Sequence, residues 1–280
     1  MAKTGKPYAR VYLEITNICN MNCSFCHGTR RAPARIGSEE FERIAAQLCE
    51  LTDYVYLHVL GEPLTHPELP DFVRRLSELG LKSAVTTNGT LLKSRGEALV
   101  ESGVYKVNLS LHSFEDGSEE KLSSYIDDVC SFAEYASAKG TLVVMRLWNE
   151  GKDGGRNEKI LELLRRRLPG EWGSGKRGIR IHDKLHLEYG ERFEWPDMGA
   201  SDGGDSVFCY GLGDHFGILC DGSVVPCCLD SEGDITLGNA LKTPLSEILS
   251  SDRAKAIREG FKRRCATEKL CRRCGYARRF

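Results

Sequence analysis

The chain has 280 residues, a formal net charge of −1 and 41% hydrophobic residues. This length suffices for one large core, or for a domain of about 200 residues followed by a smaller one. The composition is typical of a globular protein. Because the sequence contains no apolar run near the roughly 18 residues of a membrane span and no signal-peptide pattern, we expect a cytoplasmic protein with neither membrane nor nucleic acid as partner.

Cysteine is frequent in this chain. Twelve cysteines are present, and a disulfide framework is not expected in a reducing cytoplasm. Ten of them fall into two groups, which favours metal ligation. The first group is Cys19, Cys23 and Cys26, and the second is Cys209, Cys220, Cys227, Cys228, Cys265, Cys271 and Cys274. Cys49 and Cys130 lie apart in helical patterns, and we predict that they are small buried hydrophobic residues.

Strand and helix patterns alternate over the first 190 residues. Strands are predicted at Val11–Thr16, Tyr54–Leu60, Leu81–Thr87, Tyr105–Leu111, Leu142–Trp148 and Ile179–Leu187. Helices are predicted at Ser38–Leu51, Pro67–Leu79, Ser94–Ser102, Glu119–Lys139 and Asn157–Leu168. This alternation predicts βαβ units and an α/β fold with a parallel sheet.

The predicted strands alternate between apolar and polar residues. In the fourth strand, for example, Val107 and Leu109 alternate with Asn108 and Ser110. A parallel sheet covered on both faces would be apolar throughout, so we expect helices on the apolar face and a ligand-holding interior on the polar face. About six units, rather than the eight of a closed barrel, predict a partial (βα)6 TIM barrel over residues 1–190.

The pattern changes after about residue 190. A glycine-rich polar stretch, "PDMGASDGGDS", predicts a linker. Asp221-Gly222 then lies between two apolar runs, which predicts a hairpin with a type I′ turn. Pro244–Phe261 has the pattern of an amphipathic helix. We therefore predict a small α+β domain, with its linker, over residues 191–280.

The first cysteine group occupies the loop after the first predicted strand. In parallel α/β folds, ligands bind at this end of the sheet. Three thiolates on a four-iron cluster leave one iron free to bind a small molecule, which explains why a fourth cysteine is missing nearby. A structural zinc site made of the three cysteines and His27 is the alternative.

The spacing Cys19-x3-Cys23-x2-Cys26, with Phe25 before the last cysteine, resembles the signature of the radical S-adenosylmethionine (SAM) superfamily. The resemblance implies a [4Fe–4S] cluster whose open iron binds the amino and carboxylate groups of SAM, and the reductive cleavage of SAM to a 5′-deoxyadenosyl radical. Leu60-Gly61-Glu62-Pro63 resembles the family's Gly-Gly-Glu-Pro turn, with Leu60 in place of the first glycine, and "TTNG" and "NLSLHS" resemble later segments. The SAM-binding residues implied are Phe25, Gly61, Glu62, Asn88, Ser110 and Arg146.

The C-terminal cysteines resemble a second signature. Cys209, Gly222 and Cys227 have the spacing Cys-x12-Gly-x4-Cys, and a Cys-x2-Cys pair follows. This resembles the auxiliary-cluster extension called SPASM or, in its shorter form, twitch. The short form implies one auxiliary [4Fe–4S] cluster ligated by Cys209, Cys227, Cys271 and Cys274. Cys220, Cys228 or Cys265 could replace one of these ligands, and a zinc site on the same cysteines is the structural alternative.

These resemblances imply a radical SAM oxidoreductase. The size and spacing are similar to those of a twitch dehydrogenase that oxidises an aminocyclitol, with a reduced flavodoxin or ferredoxin as electron donor and a small molecule or short peptide as substrate. One alternative is a radical SAM maturase of peptides or proteins, although the first strand begins too early for a preceding leader-binding segment. The other is a non-catalytic zinc-binding module. The general base is open among His58, His112, Arg146 and Tyr56.

Overall fold

The fold is described from a computed structural model that covers residues 5–175 and 177–279. The strands are β1 (Arg10–Leu13), β2 (Tyr54–Tyr56), β3 (Lys82–Thr87), β4 (Lys106–Ser110), β5 (Leu142–Glu150), β6 (Gly173–Gly175), β7 (Gly178–His182), β8 (Leu185–Glu191), β9 (His215–Ile218), β10 (Ser223–Val225) and β11 (Gly238–Asn239). The helices are α1 (Ser38–Leu48), α2 (Leu69–Glu78), α3 (Leu92–Glu101), α4 (Glu119–Ala138), α5 (Arg156–Arg167), α6 (Leu245–Leu249), α7 (Asp252–Lys262) and α8 (Lys269–Arg272).

One mixed sheet organises the molecule. Its strand order is β11-β10-β9-β1-β2-β3-β4-β5-β8-β7-β6. Six of these strands, β1 to β5 and β8, run parallel in one continuous series, which confirms the predicted α/β partial barrel. On the other edge β9 pairs in parallel with β1, with Arg10 opposite His215. The C-terminal segment therefore extends the barrel sheet directly.

The two faces of the sheet differ as the alternation predicts. Leu13, Val107 and Leu109 are completely buried in the hydrophobic core, which includes the apolar faces of the helices. Tyr12 and Tyr56 lie on the opposite face, with ring centroids 5.3 Å apart. We call the space bordered by this opposite face the lumen. No helix in the described ranges is both long and apolar enough to cross a membrane.

Three local predictions were wrong. The run Ile179–Leu187 is a hairpin of β7 and β8, because Asp183 and Lys184 form a turn with His182 opposite Leu185. The predicted helix Pro244–Phe261 is two helices, since the Ser251 side chain accepts a hydrogen bond from the backbone N–H of Ala254 and so caps α7.

The third concerns the hairpin of β9 and β10, which is present. Its turn is not type I′, because that turn needs positive φ at both central residues. Gly222 has φ +86°, whereas Asp221 is not among the described residues with positive φ.

A buried ion pair fastens β1 to later parts of the chain. The Glu14 carboxylate is completely buried and accepts two hydrogen bonds from the Arg31 guanidinium, at 2.7 and 2.8 Å. It also accepts the backbone N–H of Leu60 at 3.3 Å and that of Cys220 at 3.1 Å. The end of β1, the cysteine loop, the loop after β2 and the C-terminal hairpin therefore meet at this one carboxylate.

We expect Glu14→Ala to destabilise the protein strongly. The change leaves the Arg31 charge and two backbone N–H groups without their acceptor, which costs about 3–5 kcal/mol, equivalent to a fall of roughly 10 °C in the thermal midpoint. The matched control is Arg166→Ala, which breaks an exposed pair with Glu162 and should cost less than about 0.5 kcal/mol. Differential scanning calorimetry of both variants, under anaerobic conditions, tests this. Equal midpoints for the two variants would contradict the role given to Glu14.

Candidate functional site

The first cysteine group lies on a loop whose base is closed by hydrogen bonds. The backbone N–H of Ile36 donates to the Ile15 carbonyl at 3.0 Å, and Thr16 Oγ1 donates to the Ala34 carbonyl at 3.0 Å. The Asn17 side chain donates to the Ala32 carbonyl at 2.9 Å and accepts from the backbone N–H of Ala34 at 2.7 Å. These bonds hold the loop from both sides at the carboxyl end of β1.

The three thiols of this loop lie within electrostatic range of one another. Cys19 is exposed, while Cys23 and Cys26 are half-buried. Burial, followed by the charges of Glu62 and Cys26, raises the pKa of Cys19, and burial with Glu115 raises the pKa of Cys23 to about 12. Metal binding would have to displace these protons. Such a short loop with three thiols has the donor chemistry of an iron–sulfur site.

The described residues hold no group of three His, Cys, Asp or Glu side chains arranged around a single metal ion. A cubane cluster is larger than one ion and takes its thiolates from more widely separated positions. The loop therefore presents three thiols that suit a cluster better than a single metal ion. Cys19, Cys23 and Cys26 would hold such a cluster, with one iron left for SAM.

The loop after β2 packs tightly on the cysteine loop. Gly61 has φ +74°, and a Cβ atom there would lie 2.4 Å from the Thr16 carbonyl oxygen, so only glycine fits. The backbone N–H of Glu62 donates to the Ile18 carbonyl at 2.9 Å. Leu60, at the position of the first glycine in the resembling turn, is buried. The Leu60 side chain is therefore packed inside the protein, so the turn forms although this position is not glycine.

Glu62 joins the ends of β2 and β3. Its carboxylate accepts the backbone N–H of Leu64 at 3.0 Å and that of Asn88 at 2.7 Å. The Asn88 side chain in turn donates to Asn20 Oδ1 at 2.9 Å, beside Cys19. Burial raises the pKa of Glu62. Its carboxylate therefore already has two backbone donors, which hold the loop in shape beside the cysteines.

The remaining predicted SAM-binding residues lie further along the same edge. The Phe25 ring lies 5.1 Å from the His112 ring, and its carbonyl accepts a hydrogen bond from Trp195 Nε1 at 3.2 Å. Ser110 ends β4 and is the register partner of Arg146 in β5. The structure thus brings Phe25, Gly61, Glu62 and Asn88 around the cysteine loop. Arg146 lies on the lumen face of the sheet.

The auxiliary cysteines form a second group. Cys227 lies within electrostatic range of Cys209 and Cys271, and Cys271 within that of Cys209 and Cys274, so Cys271 connects the four thiols into one group. Burial raises the pKa of each of these four thiols. These residues would hold the auxiliary cluster.

The three spare cysteines have other neighbours. Cys220 Sγ lies 3.8 Å from Arg31 Nη1, and Cys265 Sγ lies 3.6 Å from Asp205 Oδ2. Cys228 makes a side-chain hydrogen bond with Tyr12 in the lumen. The set Cys209, Cys227, Cys271 and Cys274 remains our prediction for the auxiliary ligands.

Several contacts at the site were not found by sequence reasoning. The Ser24 backbone N–H donates to Glu115 at 2.7 Å, and His27 Nε2 lies 3.1 Å from Ser231 Oγ. The His27 ring also packs on Trp195, with centroids 4.5 Å apart. His27 therefore contacts the C-terminal segment through Ser231 and Trp195. The alternative zinc site would instead need this ring to join the three cysteines as a ligand.

Comparison with known proteins identifies both regions. A sequence model of the radical SAM superfamily matches residues 13–149, and one of an iron–sulfur cluster-binding domain, SPASM, matches residues 209–275. The probable GTP 3′,8-cyclase of Pyrococcus abyssi is 28% identical over 182 residues, 60% of this chain and 60% of that protein. The probable GTP 3′,8-cyclase of Methanocella arvoryzae is 36% identical over 40% of this chain and 36% of that protein. The chain thus spans less than two thirds of the length of these relatives.

Solved structures resemble the whole fold. BtrN in complex with AdoMet and 2-DOIA is similar with a TM-score of 0.61 at 19% identity, covering 96% of this chain and 93% of BtrN. SuiB of Streptococcus suis bound to S-adenosylmethionine has a TM-score of 0.64 at 16% identity, covering 96% of this chain and 72% of SuiB. The two matched domains carry SAM, its [4Fe–4S] cluster and an auxiliary iron–sulfur cluster as cofactors. With its cysteine loop, partial barrel and second cysteine group, this chain belongs to the radical SAM superfamily and carries a C-terminal SPASM iron–sulfur domain.

Proposed function

We propose that this chain is a radical SAM oxidoreductase that oxidises a small molecule bound in the lumen, by two electrons in total. Bound SAM would supply hydrogen-atom abstraction from the substrate, and the auxiliary cluster would supply an acceptor for the remaining electron. A reduced flavodoxin or ferredoxin as donor and a cytoplasmic location belong to the same proposal.

One observation carries this proposal: both cysteine groups border the same lumen. Cys228, the neighbour of Cys227, hydrogen-bonds to Tyr12 on the inner face of β1. On the other side, the Phe25 ring packs on His112, whose Nδ1 lies 3.1 Å from the Arg146 carbonyl. A substrate in the lumen would therefore lie between the two groups, which supports an oxidation that uses both.

The residues of this chain would orient the substrate and exclude water. Tyr12, Tyr56 and His58 form a cluster of rings in the lumen, with centroids 5.3 to 5.8 Å apart. Burial, and next the charge of Arg146, lowers the pKa of His58 to about 3, so this imidazole is neutral at physiological pH. A general base needs a pKa near the operating pH, so His58 is too weakly basic to remove a proton. Its buried Nδ1, which has no hydrogen-bond partner, is suited instead to a hydrogen bond that orients the substrate.

The likeness to BtrN supports a small substrate, since the two chains match over nearly their full lengths. SuiB was also solved with the precursor peptide SuiA, and anSMEcpe with the Kp18Cys peptide. Peptide modification therefore stays the second candidate. Cyclisation of a nucleotide, the activity in the names of the curated relatives, is a third outcome of the same test.

The test is transfer of deuterium from substrate to 5′-deoxyadenosine. Reconstituted, reduced enzyme is incubated with SAM and perdeuterated candidates of three kinds: small alcohols (an aminocyclitol and a sugar phosphate), a short cysteine-containing peptide, and GTP. Mass spectrometry then follows both products. We expect a small molecule to stimulate 5′-deoxyadenosine formation and to transfer one deuterium to it. Its product should contain two fewer hydrogen atoms than the substrate. Transfer from the peptide alone, or a cyclised product with no change in oxidation level, would contradict the proposed oxidation.

A further inference from the structure

The lumen contains positive charges without partners. In β4, Val107 and Leu109 are buried in the hydrophobic core, so the alternate residues Lys106 and Asn108 face the lumen. In β5, Met145 and Leu147 are likewise in the core, which turns Arg146 to the lumen. The register places Lys106 opposite Leu142, four residues before Arg146 on the same strand.

Lys106 is a partly buried ammonium group. It makes no hydrogen bond or ion pair with any residue that the structure describes. Burial, and next the charge of Arg146, lowers the pKa of Lys106 to about 8. Glu188 acts in the opposite direction but forms no ion pair with Lys106 in the described part of the chain. A partly buried cation without a paired counter-charge is costly, so a bound anion would stabilise this ammonium group.

Arg146 is in the same situation. Its Nε atom is buried and has no hydrogen-bond partner, and the guanidinium carbon lies 4.3 Å from the centroid of the Trp148 ring. Glu188 is its register partner on β8, but no ion pair joins them in the described part of the chain. Burial lowers the pKa of Arg146 although Glu188 acts in the opposite direction. A guanidinium fixed against an aromatic ring is well suited to a planar or tetrahedral oxyanion.

Arg10, also on the lumen face, forms an ion pair with Asp214 at 2.8 Å, and His58 is neutral. Arg177 is a third cation that acts on both Lys106 and Arg146, whereas the Glu188 carboxylate acts on both in the opposite direction. The lumen carries an excess of positive charge where a substrate would bind.

We propose that the substrate carries an anionic group, a carboxylate or a phosphate, which binds to Lys106 and Arg146 in the lumen. This inference rests on the proposed function, since that function places the substrate there. It gives Arg146 a different ligand from the SAM carboxylate expected from the sequence. It also separates this protein from an enzyme of aminocyclitols, because protonated amino groups would meet two like charges.

Anion binding can be measured before the substrate is known. The cluster-loaded enzyme with SAM is titrated with inorganic phosphate and, separately, with malonate, each against sodium chloride at equal ionic strength. The thermal midpoint is the readout, because a ligand that binds only the folded state raises it. We expect phosphate, malonate or both to raise the midpoint beyond chloride, and the stronger of the two identifies the group. No excess over chloride for either anion would overturn the inference.

The variant Lys106→Met tests the residue itself. It should weaken binding of the effective anion at least tenfold, whereas Lys106→Arg should keep most of it. The control Lys93→Met removes an exposed lysine from a loose contact with Asp128 and should bind as the parent does. Without anion, Lys106→Met should melt no lower than the parent, because it removes an unpaired buried charge. A much lower midpoint, or unchanged binding in Lys106→Met and in Lys106→Gln, would show that Lys106 is structural and overturn the inference.

The two proposals can fail separately. Anion binding does not require SAM cleavage. SAM cleavage is tested separately, by incubating the parent enzyme with dithionite and SAM and measuring 5′-deoxyadenosine. If the parent forms none, the proposed function fails whatever the anion titration gives. If it forms 5′-deoxyadenosine but binds neither anion, only the inference about the substrate fails.

Discussion

Replacing Cys19, Cys23 and Cys26 together by alanine should remove one iron–sulfur cluster and abolish formation of 5′-deoxyadenosine. We propose these three thiols as the ligands of the cluster that passes an electron to SAM, so their loss should remove both the cluster and SAM cleavage. Iron should fall from about eight to about four atoms per chain, because each [4Fe–4S] cluster contributes four. Iron analysis and chromatography of the dithionite-reduced protein with SAM provide the measurement.

The control for this variant is Cys49→Ala. Cys49 is half-buried, with its Sγ 3.9 Å from the Ala45 and Leu79 carbonyls, and it belongs to neither cysteine group. It should keep all the iron and the full rate of SAM cleavage. If the triple variant still cleaves SAM, the assignment of the catalytic cluster to this loop is wrong.

Replacing Cys271 by alanine should have the opposite selectivity. Cys271 lies within electrostatic range of Cys209, Cys227 and Cys274, so its loss should damage the auxiliary cluster and spare the cysteine loop. We expect about half of the iron to be lost, oxidised product to fall by at least tenfold, and SAM cleavage to fall much less. The ratio of product to 5′-deoxyadenosine reports this uncoupling directly.

Cys265→Ala is a closely matched control. It lies six positions before Cys271, in a basic segment of similar exposure, but its thiol is directed to Asp205. It should keep the iron and the product ratio of the parent. If Cys265→Ala lost iron and Cys271→Ala kept it, Cys265 would replace Cys271 as a ligand of the auxiliary cluster.

Sequence reasoning was most successful where the signal is local. The parallel strands follow from the alternation of strand and helix patterns along the chain, and Cys19, Cys23 and Cys26 lie within eight residues, so their common loop needs no tertiary information. The hairpin of β7 and β8 was missed because Asp183-Lys184 is a weak turn signal inside a continuous strand-like run. The division between α6 and α7 depends on the Ser251 cap, which an amphipathic pattern conceals.

Contacts between distant segments were beyond the reach of the sequence. Glu14 and Arg31 are 17 positions apart, and Glu14 and Cys220 are 206 apart, so no periodicity links them. The sequence placed Lys106 at the start of a strand, and alternation even indicated its face. That its ammonium has no partner depends on where Glu188 and Asp214 lie in the folded chain, which only tertiary structure determines.

The most direct test of the account is electron–nuclear double resonance of the reduced enzyme with SAM that carries isotopic labels in its amino and carboxylate groups. We expect both labels to couple magnetically to a [4Fe–4S] cluster, and the coupling to vanish in the Cys19/Cys23/Cys26 triple variant. A protein that contains zinc in place of iron, or a reduced cluster with no coupling to either label, would contradict it.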